Sequence, residues 1–131
     1  MSVTIRRFDN PDEKREFSLG AFQVVNMAGM TFGLATYEPG WRWSSHVGGS
    51  DDALCPVAHV GLVLSGRAAV KMADGEYVEM GPGDLFDIGP GHDSWVVGDE
   101  PYVSLHLVGA DTYAAKLLLA RRKRRHSPLS S

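Results

Sequence analysis

Five side chains of this sequence could bind a metal ion or transfer a proton, four of them histidines and one the single cysteine. They are His46, Cys55, His59, His92 and His106. Imidazole and thiolate groups each offer an electron pair to borderline metals such as Zn²⁺ and Fe²⁺. Cys55 and His59 can reach the same ion if the chain bends at Pro56. These residue types indicate a site for one divalent metal ion, zinc or iron.

The elements that must position these side chains are predicted to be short β-strands. Glycine and proline turns recur at intervals of roughly eight to twelve residues, which is typical of an all-β sandwich or barrel. Asp74-Gly75 lies between two strand-like segments and predicts a hairpin. No alternation of strands and helices is visible, which argues against a parallel sheet. The predicted strands are 22–25, 30–37, 58–64, 67–72, 76–80, 84–88, 94–97 and 102–108.

Strand alternation predicts which way two of the histidines point. His59 shares a face with Gly61 and Val63, and this face could be the barrel interior. An imidazole buried there needs a polar partner, and a metal ion would provide one. His106 is in step with Tyr102, so it faces either the pocket, as an acid–base group, or the solvent.

The stretch from Gly40 to Gly66 resembles the first motif of the cupin superfamily, in which glycine, two histidines, a glutamate and a second glycine follow at set spacings. His46 follows Gly40 after five residues and matches the first motif histidine. His59 precedes Gly66 by the spacing of the motif glutamate, and Cys55 takes the place of the second histidine. The segment between His46 and Cys55 is longer than in the motif, and we interpret it as an inserted loop.

The second cupin motif is similar to the segment around the Gly89-Pro90-Gly91 turn. Counted without a gap, the ligand position falls on Ser94; counted back from Gly98, it falls on His92, which is the better ligand. Small bacterial cupins share the runs at 39–44, 64–67 and 91–101. The resemblance implies an antiparallel double-stranded β-helix, a jelly-roll barrel, with a metal ion held at an apolar pocket. The implied ligands are His46, His59 and His92, and Cys55 is a candidate fourth ligand. Separately, Trp43, Phe86 and Trp95 are candidate residues of the substrate pocket, since aromatic rings near a metal site can stack on a flat substrate.

Length and charge restrict the remaining choices. A chain of 131 residues favours one domain, here a barrel over 1–110, followed by a short C-terminal helix and basic tail over 111–131. The net charge of −3 includes five basic residues at 121–125, so the body is acidic and nucleic acid is an unexpected partner. The start of the chain lacks the apolar stretch of a secretory signal. The apolar segment 21–35 is too short for a membrane span. For these two reasons we expect a cytoplasmic protein.

Two functions remain open from the sequence. One is a metal-dependent enzyme acting on a small organic molecule by Lewis-acid chemistry such as cyclisation, isomerisation or lyase reactions, or by oxygenase chemistry if iron is bound. The other is a non-catalytic module that binds a small molecule or senses metal or redox state. A homodimer that covers exposed edge strands is a further hypothesis.

Overall fold

The computed structural model describes residues 2–49, 53–108 and 110, and their regular structure is almost entirely antiparallel β-sheet. One sheet has six strands in the order β1-β2-β3-β9-β4-β7, and the other has three in the order β6-β5-β8. This architecture confirms the predicted all-β jelly-roll fold. The strands are β1 Glu13–Phe17, β2 Gly20–Met27, β3 Met30–Tyr37, β4 His59–Ser65, β5 Arg67–Met72, β6 Tyr77–Met80, β7 Leu85–Ile88, β8 His92–Val97 and β9 Tyr102–Val108.

Strand β1 was not predicted, because its sequence Glu-Lys-Arg-Glu-Phe carries mostly charged residues. Within the described part of the chain it is an edge strand that pairs with β2 on one side, and most of its side chains reach solvent. Arg15 is its one buried residue, and its guanidinium donates to Glu13 and to the carbonyl of Ala110. Charges on an edge strand also discourage pairing with other chains.

The core lies between the two sheets and is dominated by aromatic side chains. Phe22, Trp41 and Trp43 are at most 2% exposed. Trp41 stacks on Tyr37 with ring centroids 3.8 Å apart, and Tyr37 in turn stacks on Tyr102. Rings of this size bury large apolar areas, so a small barrel can be filled by few side chains.

The predicted hairpin at Asp74-Gly75 and the turn at Gly66 show why glycine is required where the chain reverses. Gly75 adopts a φ of 95° in the β5–β6 hairpin, and its N–H donates to the carbonyl of Met72. Gly66, between β4 and β5, has a φ of 74°, and a Cβ there would strike the carbonyl oxygen of Pro101. Both positions favour glycine because other residues are strained at positive φ.

A π-helical turn over Ser44–Gly48 overlaps the start of the predicted loop between His46 and Cys55. The turn ends at Gly49 in the left-handed conformation, with a φ of 88°. Residues 50–52 are outside the described part of the chain. So are residues 111–131, on which the predicted C-terminal helix and basic tail fall. Within the described residues, none of the helices has the length and apolar character needed to cross a membrane.

Candidate metal centre and adjoining cavity

Three of the predicted ligands come together at one point between the sheets. One potential ligand atom from each of Cys55, His59 and His92 lies within 4.8 Å of the other two. The three side chains are buried, with exposures of 0%, 3% and 4%. They come from three separate segments: the loop after the π turn, the start of β4 and the start of β8.

His59 points inward because of the alternation of β4. His59, Gly61 and Val63 are buried while the residues between them are half-exposed, as predicted from the sequence. Its Nε2 lies 3.5 Å from Sγ of Cys55. Burial, together with the neighbouring imidazoles of His106 and His92, lowers the pKa of His59 to about 2. The ring is therefore neutral at ordinary pH and has a lone pair to share with a metal ion.

Cys55 is attached to β8 through its backbone. Its N–H donates to the carbonyl of His92 over 2.7 Å, and its carbonyl accepts from the N–H of Gly91 over 2.7 Å. This isolated bridge holds the thiol in a set position relative to His92. Burial raises the pKa of the Cys55 thiol to about 12, so it is protonated unless a cation is bound to it.

The tautomer of His92 follows from one hydrogen bond. Its Nδ1 lies 2.8 Å from the carbonyl oxygen of Gly89, which can only accept, so Nδ1 carries the proton. Nε2 then has the free lone pair, an arrangement common in metal-binding histidines. Burial lowers the pKa of His92, while Gly89 and Asp93 act in the opposite direction. His92 belongs to the cluster; Ser94, the alternative from the sequence count, lines the adjoining cavity.

The donor chemistry and spacing fit a divalent metal ion. Zinc bonds of about 2.3 Å to sulfur and about 2.0 Å to nitrogen at a tetrahedral angle place the two ligand atoms about 3.5 Å apart. The distance from Sγ of Cys55 to Nε2 of His59 is 3.5 Å. The same contact serves as a weak hydrogen bond in the metal-free protein. One thiolate and two imidazoles are a suitable donor set for Zn²⁺.

His46 is not brought into this group. It lies in the π turn, where its Nδ1 is 3.0 Å from the backbone N of Arg42. It is also absent from the residues that line the cavity described below. Within this turn the His46 ring contacts the backbone of Arg42, and His46 is not one of the three residues that converge as a metal cluster.

Asp93 was not singled out in the sequence, yet it positions the elements around the cluster. Its carboxylate accepts from the N–H and hydroxyl of Ser44, each over 2.9 Å, and from the guanidinium of Arg42 over 2.9 Å. These bonds fasten the π turn to β8 next to His92. The only hint in the sequence was an aspartate directly after a candidate ligand.

The third buried imidazole, His106, faces the interior from β9. Its Nε2 is 3.0 Å from the hydroxyl of Ser104, which also hydrogen-bonds Tyr102. Its ring centroid is 5.2 Å from that of His59, and the rings of Phe22 and Phe86 pack edge-on around it. Burial lowers the pKa of His106 to about 4, so the imidazole is neutral near pH 7.

A cavity of about 40 Å³ adjoins the cluster. His59 and His92 line it and Cys55 does not, so the cavity lies on the imidazole side of the cluster. Two predicted pocket residues, Trp43 and Phe86, line it. The third, Trp95, does not: the guanidinium of Arg42 lies over its ring at 4.2 Å. The other lining residues are Tyr37, Trp41, Ala68, Val70, Met80, Ile88, Ser94, Tyr102, Ser104 and His106.

A second, larger groove of about 330 Å³ runs between β6 and β7, the adjacent edges of the two sheets. Its inner wall is shared with the cavity through Val70, Met80, Phe86 and Ile88. Its rim carries the carboxylates of Glu76, Glu79, Asp84 and Asp87. The groove is therefore an acidic surface next to the cavity wall.

No family model and no curated protein sequence matches this chain. Solved structures resemble it in fold. A protein of unknown function from Rhizobium leguminosarum bv. viciae is 23% identical, with a TM-score of 0.59 over 82% of this chain and 97% of its own. A DUF1255 protein of unknown function from Acinetobacter sp. ADP1 is 17% identical, with a TM-score of 0.55 over 74% and 90%.

Oxalate decarboxylase, a cupin, is also among the similar structures. It is 23% identical with a TM-score of 0.53, and the match covers 75% of this chain and 28% of that one. Identities this low establish the fold and not the activity. The chain therefore has a cupin-type jelly-roll fold, with a buried cysteine–histidine cluster beside a small internal cavity.

Proposed function

We propose that this chain is a metal-binding cupin that holds one divalent ion on Cys55, His59 and His92. The observation that carries the proposal is the convergence of their three ligand atoms within 4.8 Å at the edge of the cavity. The tautomer of His92, set by Gly89, and the burial of all three side chains support it. Zn²⁺ suits one thiolate and two imidazoles, and Fe²⁺ is the alternative that metal analysis would reveal.

We further propose that the protein is a metal-dependent enzyme for a small organic molecule. A bound divalent ion supplies Lewis-acid polarisation of a carbonyl group or of water. The chain's own contribution is a largely apolar cavity wall, with Trp43 and Phe86 among its residues. His106 lines the cavity and is hydrogen-bonded to Ser104, and the role we propose for it is to accept a proton from a molecule in the cavity and to return it.

Metal analysis of the purified protein tests the metal site. We expect about one equivalent of zinc or iron per chain when the protein is purified without chelator. His59→Ala should lose the metal, because it removes a central ligand. His46→Ala is the matched control and should retain it, since His46 lies outside the cluster. Metal-free wild-type protein that takes up no zinc on addition would reject the proposal.

The alternative is a non-catalytic module that uses the same cavity to hold a small molecule. The small volume of the cavity, about 40 Å³, is compatible with simple retention of such a ligand. A redox-sensing version fits less well, because the Cys55 thiol is fully buried and its pKa is raised to about 12. Turnover that EDTA abolishes would favour the enzyme, whereas ligand-dependent thermal shifts without turnover would favour the module.

A homodimer remains part of the proposal. Among the described residues, β1, β6 and β7 each pair on one side only, and Leu85 on β7 is 76% exposed. A second copy could cover such an edge. Light scattering that returns the mass of one chain would exclude the dimer.

A further inference from the structure

Two residues that line the cavity carry buried hydrogen-bond donors without a partner among the described residues. The indole N–H groups of Trp41 and Trp43 make no hydrogen bond to any residue in the described part of the chain. Their side chains are 2% and 1% exposed, and both line the cavity. An indole nitrogen can only donate, and a buried donor without an acceptor is unfavourable. An oxygen acceptor bound in the cavity would satisfy the hydrogen-bonding capacity of both indole N–H groups.

The packing of Trp43 shows which edge of its ring is available. A Cβ on Gly48 would lie 2.5 Å from Cζ3 and 2.8 Å from Cη2 of Trp43, so the six-membered ring packs against the π turn. The N–H lies on the opposite side of the indole from this edge. Trp41 is held by stacking on Tyr37 at 3.8 Å, so its ring is also fixed in place.

The size of the cavity limits what can supply the acceptor. A single water molecule needs about 10–15 Å³ of cavity volume. The cavity of about 40 Å³ therefore admits roughly three waters or a molecule of three or four non-hydrogen atoms. Side chains that provide acceptor or donor oxygens nearby are Ser94, Ser104 and Tyr102. Among the residues that the structure describes, no lysine or arginine lines the cavity.

Charge then indicates the class of ligand. With a divalent ion bound, the thiolate of Cys55 and two neutral imidazoles leave the cluster with one positive charge. A buried charge is costly unless it is paired, and a monoanion would neutralise this one. Four carboxylates line the neighbouring groove, and although Glu79 is paired with Arg67, the acidic excess repels anions of higher charge more strongly than monoanions.

We propose that the cavity binds a small monocarboxylate, with one carboxylate oxygen accepting hydrogen bonds from the indole N–H groups of Trp41 and Trp43. This inference rests on the proposed metal site, and it names the ligand class that the site accepts. The two tryptophans are binding residues whose role is to select an oxygen acceptor and to orient it toward the imidazole side of the cluster.

Acetate is the probe, and protein loaded with Co²⁺ is the reporter. We expect acetate to bind and to change the visible absorption of bound cobalt. Acetamide, with the same shape and no charge, should bind at least about tenfold more weakly, because hydrogen bonds to a charged acceptor are the stronger ones. Sulfate, a larger dianion, should not bind.

Trp43→Phe and Trp41→Phe remove one donor each and should weaken acetate binding about tenfold while leaving the cobalt stoichiometry unchanged. Trp95→Phe is the matched control, because Trp95 is outside the cavity lining, and it should bind acetate as the wild type does. The thermal midpoint of each variant shows whether it is folded. If only one of the two cavity variants, Trp41→Phe and Trp43→Phe, is folded, its acetate affinity is compared with that of the wild type.

The outcomes separate the two proposals. Absence of cobalt binding by the wild type would overturn the metal site and this inference with it. Normal cobalt binding without any response to acetate would overturn the inference alone. Equal acetate affinity in wild type and both cavity variants would also overturn it, since the indoles would then play no part.

Discussion

Sγ of Cys55 lies 3.5 Å from Nε2 of His59, although the two residues reach this point by different routes. Cys55 is anchored by backbone hydrogen bonds to β8, whereas His59 is the first residue of β4 and pairs with Ile88 of β7. The contact therefore links the two sheets at the edge of the cavity. Its geometry makes the cysteine the most informative ligand to test.

Replacing Cys55 by alanine should remove metal binding without unfolding the protein. Loss of outer partners of a ligand typically costs about 10–100-fold in metal affinity, and loss of a ligand itself should cost at least that much. Removal of one buried sulfur should lower the unfolding free energy of the metal-free protein by only about 1 kcal/mol. The thiolate-to-cobalt charge-transfer band of the Co²⁺-loaded protein measures the change directly. A Co²⁺-loaded wild type that lacks this band, or that has the same visible spectrum as Cys55→Ala, would show that sulfur is not a ligand.

The metal-free protein should lose stability as the pH falls from about 7 to about 4.5. Burial lowers the folded-state pKa of His59 to about 2 and of His106 to about 4, and it also lowers the pKa of His92. In the unfolded chain these imidazoles take up protons near their ordinary pKa of 6.5, so the unfolded state binds more protons. Each adds a slope of about 1.4 kcal/mol per pH unit between its two pKa values.

Urea unfolding at several pH values measures this slope. His106→Asn should reduce the slope of the unfolding free energy against pH by about 1.4 kcal/mol per pH unit, because asparagine does not titrate and one fewer proton is taken up on unfolding. Above about pH 7 wild type and variant should differ by a constant amount. An unfolding free energy that is independent of pH between 7 and 5 would contradict the neutral, buried imidazoles.

Gly61→Ala should destabilise the barrel and distort the cavity. A Cβ at this position would strike the carbonyl oxygen of Leu105 and lie 2.6 Å from Cζ of Phe86, a cavity residue. Overpacking of this kind costs about 1–3 kcal/mol. Gly89→Ala is the matched control: a Cβ there meets no atom within 4 Å, and the change should stay within about 0.5 kcal/mol. Thermal unfolding of both variants measures the difference. Equal losses of stability in Gly61→Ala and Gly89→Ala would contradict the prediction.

Asp93→Asn should loosen the π turn from β8. The carboxylate accepts from Ser44 and Arg42 in a mostly buried place, and hydrogen bonds to charged groups contribute about 1.5–3 kcal/mol each to stability. We expect a loss of about 2 kcal/mol in the unfolding free energy, because asparagine retains part of the bonding. Asp9→Asn breaks only the exposed pair with Arg7 and should cost less than about 0.5 kcal/mol. If Asp93→Asn lowered the unfolding free energy by less than about 0.5 kcal/mol as well, the hydrogen bonds from Ser44 and Arg42 to Asp93 would not be needed for stability.

The sequence predicted the fold well because strand alternation and turn residues are local signals. The bounds of β3, β5 and β9 agree with the predicted segments 30–37, 67–72 and 102–108. The inward direction of His59 followed from the same alternation. Strand β1 was missed since its stability comes from pairing with β2, which a charged local sequence does not reveal.

The sequence by itself determined the all-β class, most strand positions, and the residue types available for a metal site. Only the tertiary structure decided which of these meet: Cys55, His59 and His92 converge, His46 lies in a π-helical turn outside that cluster, and Asp93 holds the turn in place. The physical reason is that local patterns set the face on which a side chain lies, whereas distances between segments far apart in the chain depend on how loops and sheets pack together.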